Sequence, residues 1–363
     1  MIATIRRLLA AAVLVAVATG GAGALELQPG HWYAVPGSRL DQQAGVFPPV
    51  PTPEGNPANV LAAWSGAAYD AKRERVLFQG GGHGDYAGNE VYALDVNTFR
   101  WSRVWGPSAQ IPPRQQSEGR AEYPDGNPAS VHSYDGLNYI PGLDKLWRGG
   151  GSLWSGSGGG TSATWMLDLA SNRWQRMADS RVLGVSVASE YDPVSKHVFA
   201  FSDRNILGEY DPEKNRWREI GDIYHGEEQV AAIDPERRLF VRVGNGDLSY
   251  CNIRSGSIRL AVTTRGPQDV VKARGPGFVY DSAIKKLVGW AGGASLFVLD
   301  SESWTWTEVK PARGNTVTPP TIHADGADKI LVMSKFLYIP SKSLYLLVQS
   351  VDTEVHVYRL PPP

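Results

Sequence analysis

Residues Leu94–Trp101 read LDVNTFRW. An apolar residue, an aspartate able to cap a turn, a polar loop and a returning tryptophan describe one tight hairpin. The pattern recurs as LDLASNRW (167–174), YDPEKNRW (210–217) and LDSESWTW (299–306), always with the aspartate six residues before a tryptophan. YCNIRSGSI (250–258) reads as a degenerate copy with Cys251 in the aspartate's place. A second signal alternates strictly with the first. It runs YDAKRERVLF from Tyr69, YIPGLDKLW from Tyr139, YDPVSKHVFAF from Tyr191, IDPERRLFVRV from Ile233, YDSAIKKLVGW from Tyr280 and YIPSKSLYLLV from Tyr338. These six copies lie 42 to 70 residues apart.

Two hairpin signals per unit give four short strands joined by sharp turns, and a repeat of that size and content is a propeller blade. The chain is therefore expected to be all-β, a six-bladed β-propeller. Its last unit ends at VHVYRLPPP with three strands, while Trp32 in GHWYAVPGS sits on a strand with no unit of its own. Docking that strand onto the sixth blade closes the ring and removes an exposed edge. The alternative, seven blades, needs a blade within residues 36–61 or 102–129, both proline-rich and poor in strand pattern.

Paired glycines ending the second strand, QGGG (79–82) and RGGG (148–151), followed by VYALDVNTFRW (91–101), resemble the repeat of the kelch-like propellers. The resemblance spans nearly the whole chain after its first segment, with the glycines complete only in blades 1 and 2. It implies the propeller fold. It does not imply one function, because kelch-like folds host oxidases, epimerases, lyases and plain binding scaffolds. A copper centre of the galactose-oxidase type requires a cysteine crosslinked to a tyrosine, and Cys251 is assigned to a turn on the wrong face. No tight ligand spacing marks a metal site, and no cofactor is expected.

Composition narrows the class further. The start, MIATIRRLLAAAVLVAVATGGAGA, has a basic head, an apolar core too short to span a bilayer and an Ala22-Gly23-Ala24 cleavage site. Residues 1–24 are expected to be a signal peptide, leaving a single propeller domain over 25–363, periplasmic or extracellular. Loss of Arg6 and Arg7 lowers the net charge from −1 to −3. A nearly neutral chain lacks the basic field for nucleic acid. No second long apolar run suggests membrane residence, and a monomer is expected. The single cysteine excludes an internal disulfide.

Strands running up and down place the A–B and C–D turns of every blade on one face, the bottom. The B–C and D–A loops share the other. His83, His132, His225 and His323 all fall on that top face. Between turn positions, blades 3, 4 and 5 take 19, 17 and 19 residues, but blade 1 takes 25, the excess being GGGHGDYAGN. Blade 2 is longer still, and the longest entry loops, 36–61 and 102–129, lead into blades 1 and 2. Long loops on a rigid scaffold are where chemistry gathers.

His83, His132, Tyr134 and Arg274 are the expected catalytic residues. Asp85, Tyr86, Asn89, Trp154, Arg204, His225, Asn245, Lys272, Trp290 and His323 are the expected substrate contacts. His132 and Tyr134, two apart, are expected on one side of a single strand. Imidazoles and phenols move protons, guanidinium groups neutralise carboxylates, and indoles stack on sugar rings. That set suits β-elimination on a uronic-acid polysaccharide, and propeller-fold polysaccharide lyases resemble the chain in fold and residue types. The alternatives are a scaffold that binds a glycan or a protein without turnover, and a glycoside hydrolase. Sparse top-face acids (Asp85, Glu118, Glu227, Glu228 and Asp247) weigh against the hydrolase.

Overall fold

The computed structural model describes residues 27–224, 226–321 and 330–362. The expected signal peptide and the candidates His225 and His323 lie outside the described residues. Six four-stranded antiparallel sheets form the ring. Strands A to D of blade 1 are Gly66–Asp70, Arg75–Gln79, Val91–Asp95 and Trp101–Trp105. Those of blade 2 are Leu137–Ile140, Lys145–Gly149, Thr164–Asp168 and Arg173–Arg176. Blades 3, 4 and 5 begin at Ala188–Tyr191, Val230–Asp234 and Gly277–Asp281.

Blade 6 supplies Phe336–Ile339, Leu344–Leu347 and His356–Tyr358, and its outer strand is Trp32–Ala34, paired through Trp32 with Tyr358. The two ends of the chain thus share one sheet, as the unpartnered tryptophan strand requires. Trp32 is buried, its indole N–H donating to the Ala294 carbonyl of blade 5 at 2.9 Å.

The turns show why aspartate recurs. Asp95 Oδ1 accepts from the Asn97 and Thr98 amides, both at 2.8 Å, and Asp168, Asp211 and Asp300 do the same. In blade 4 the equivalent acceptor is Asn252, bonded to the Arg254 and Ser255 amides, each at 3.1 Å. This corrects the repeat register by one residue: Cys251 is a buried strand residue opposite Ile258, as Leu94 is opposite Trp101. The position needs a side-chain oxygen two and three residues before unpaired amides, which asparagine supplies and a thiol does not.

On the same face, ion pairs tie neighbouring A–B turns. Arg73 reaches Asp144 at 2.6 Å, Lys285 reaches Glu236 at 2.6 Å, and Arg238 pairs with Asp192. The inner strands enclose an axial cavity of about 250 Å³, lined by Ala67, Asp135, Glu190, Ala231, Phe278 and Phe336 among others.

Candidate active site

The top of blades 1 and 2 is built by close backbone contact. Gly82 has φ +71°, and a Cβ there would stand 2.2 Å from the His132 amide nitrogen. Only glycine lets the Gly80–Asp85 loop lie on the Val131–His132 segment. That segment pairs with Ser152–Leu153 as a separate two-stranded sheet ahead of blade 2. His132 is therefore not on strand A, and Tyr134 is not on its strand: Tyr134 has φ +50° and turns the chain back toward the ring. The two rings still meet edge to face at 5.9 Å, through the turn rather than strand periodicity.

Three side chains converge here. His132 Nε2 lies 2.6 Å from Asp85 Oδ2, and His83 meets His132 edge-on with ring centroids 5.6 Å apart. The His132 side chain is 3% exposed and that of Asp85 36%. His83 is the exposed member, at φ +41°, its ring packed over Gly158. Its carbonyl accepts from the Ser155 amide at 2.9 Å.

Burial pushes the His132 imidazole below its usual value, against the opposing effect of Asp85. The hydrogen bond from His132 holds the Asp85 carboxyl below the usual carboxylate range. The consistent state is a neutral imidazole donating from Nε2 to an ionised carboxylate. Burial also raises the Tyr134 phenol, so it remains protonated. One ligand atom from each of His83, Asp85 and His132 lies within 4.8 Å of the others, so this trio could also hold a divalent cation.

Trp64, from the loop entering blade 1, completes the mouth. Its indole stacks on His132 at 5.0 Å and 17°, and its Nε1–H donates to Glu228 Oε1 at 3.1 Å. Glu228 precedes blade 4, on the opposite side of the ring, so Trp64 reaches across the axis. Glu228 also pairs with Arg274. Arg204 is exposed and 3.9 Å from Asp203.

Other expected contacts are withdrawn into the framework. Tyr86 is fully buried and donates to Glu90 at 2.7 Å; Asn89 is fully buried and donates to Ser108 and to the Pro128 carbonyl, each at 2.8 Å. Trp154 packs in the apolar cluster with Tyr123 and Leu153. Trp290 is buried and donates to the Gly293 carbonyl at 3.0 Å. Closed in this way, none of the four offers a face to a ligand. The loops that looked like additions to the repeat are filled from within by Tyr86, Asn89 and Trp154, while Trp290 ends a strand of blade 5 and packs in the core between blades 5 and 6. Asn245 and Lys272 are exposed, but neither is among the residues converging at the trio.

The sequence reading missed Trp64 and Arg114. Trp64 follows an alanine-rich stretch with no repeat signal. Arg114 belongs to a short turn, Arg114–Gln116, in the proline-rich loop 102–129. Its Nε–H donates to the Ser155 carbonyl at 3.2 Å.

Fold and mouth together define a six-bladed β-propeller whose top face carries a histidine–aspartate–histidine cluster. No protein-family model and no curated protein matches the chain. Among solved structures, one chain of a nidogen/laminin complex is similar at 12% identity and a TM-score of 0.46. That match covers 70% of this chain and 81% of the other.

Proposed function

We propose that the protein is an exported enzyme that cleaves a uronic-acid-containing polysaccharide by β-elimination at the top mouth. The observation that carries this reading is the Asp85–His132 hydrogen bond, 2.6 Å long, beside the exposed imidazole of His83. In the reaction, the C–H bond next to the carboxylate breaks and its proton passes to His83. The electron pair forms the new C=C bond as the adjacent C–O bond breaks, and the leaving oxygen takes a proton. His132, buried and held by Asp85, positions His83. Tyr134, protonated and against His132, is the donor. The substrate carboxylate needs a cation, and Arg274 is already engaged by Glu228.

The test is a panel of uronic-acid polysaccharides followed by ultraviolet absorbance of the unsaturated product. A positioned base contributes on the order of 10²–10⁴-fold. His83→Ala should therefore lower turnover by that factor with an unchanged thermal midpoint. Silence across the panel with retained glycan binding favours the scaffold reading, and new reducing ends without the absorbance indicate a hydrolase.

A metal-centred reading has one observation in its favour, the spacing of the His83, Asp85 and His132 ligand atoms. It predicts activity that a chelator abolishes and a divalent ion restores; the proton-transfer reading predicts indifference to both.

A further inference from the structure

We propose that Arg114 forms an anion subsite at the top mouth, taking the carboxylate of an acidic glycan beside His83; this rests on the acidic-glycan reading above. Of the arginines expected at the mouth, Arg274 is engaged by an acid and Arg204 only loosely so. Arg274 pairs with Glu228, and Arg204 stands beside Asp203. The terminal nitrogens of Arg114 have no carboxylate partner among the described residues, although Asp85 lies close enough to feel its charge.

Its guanidinium is nevertheless held in place. Nε–H donates to the Ser155 carbonyl, and the amide of Ser155 donates to the His83 carbonyl. One residue therefore fixes both the guanidinium and the imidazole backbone. The planar group lies against Gly84, where a Cβ would stand 2.6 Å from Nη2, 2.8 Å from Cζ and 3.1 Å from Nη1. The backbone of Gly84 is not in the left-handed region, so a Cβ there would displace the flexible end of Arg114 rather than strain the backbone.

A guanidinium with one donor spent on its own support and a free planar fork suits a carboxylate, which it binds through two parallel hydrogen bonds. Beside a proton-moving imidazole it offers the charge that elimination next to a carboxylate requires.

The experiment uses the full chain and immobilised oligomers of galacturonate, glucuronate, mannuronate and guluronate, each beside its carboxyl-reduced neutral counterpart. The wild type should prefer the acidic member of at least one pair. Arg114→Gln should erase that preference by about 10- to 100-fold, as expected for loss of hydrogen bonds to a charged group. Arg114→Lys should keep part of it. Gly84→Ala, whose backbone is tolerated, should displace the guanidinium and reproduce the Arg114→Gln loss with an unchanged thermal midpoint. An acidic preference that survives in Arg114→Gln overturns the subsite, as does a wild type with no preference in any pair. The two ideas separate cleanly: Arg114-dependent acid binding without elimination leaves the subsite and removes the lyase, whereas elimination indifferent to Arg114 does the reverse.

Discussion

Lys335 sits just before the innermost strand of blade 6 and is 1% exposed, its ammonium donating to the Leu61 carbonyl at 2.6 Å. No carboxylate pairs with it among the described residues, and burial lowers its pKa to about 7. An unfolded lysine titrates near ~10.4. Between those values the unfolded chain binds the extra proton, so stability rises with pH across that window and is lost as pH falls through about 7. The slope approaches about 1.4 kcal/mol per pH unit. Urea unfolding from pH 7 to 9.5 should show this rise in the wild type and a flatter profile in Lys335→Met. Identical slopes would mean that the amine is charged and solvated in the fold.

At the level of the hairpin, the C–D turn of each of blades 1 to 5 has one side-chain oxygen capping two amides. The shifted register of blade 4 makes this testable. Asn252→Ala removes the bonds to Arg254 and Ser255 and should cost about 1–2 kcal/mol in urea unfolding. Cys251→Asp places a carboxylate in a fully buried strand position and should destabilise more, although the repeat pattern alone makes aspartate the consensus residue there. If Cys251→Asp were the milder change, Cys251 rather than Asn252 would occupy the capping position of that hairpin.

The ring as a whole closes through three residues of the chain's N-terminal part, Trp32–Ala34, against His356–Tyr358. Trp32 is packed in a cluster with Trp290, Tyr345 and Tyr358, drawn from blades 5 and 6. Trp32→Ala removes a buried indole at a blade junction and should cost about 3–5 kcal/mol. Deleting residues 27–34 should also expose the edge of His356–Tyr358 and promote self-association, read by light scattering. A soluble deletion variant with the wild-type thermal midpoint would show that closure contributes nothing.

The number of blades, the closing strand and the face that carries His83 and His132 were all legible in the sequence. Each follows from local rules: alternation of side chains along a strand, aspartate at a tight turn, and the up-and-down path that sends successive loops to opposite faces. Only the tertiary structure showed which top-face residues are open. Tyr86, Asn89, Trp154 and Trp290 resemble ligand contacts by type, but the first three fill the loops of blades 1 and 2 and Trp290 packs in the core at the end of a blade 5 strand. Trp64, Arg114 and Lys335 carry no repeat signal, because their positions depend on long entry loops and ring closure. The convergence of His83, Asp85 and His132 depends on a glycine, Gly82, pressed against the backbone of His132 in the neighbouring blade's entry segment. Periodicity encodes the scaffold because each hairpin is specified within a few residues; the mouth is specified by contacts between blades, which no local pattern records.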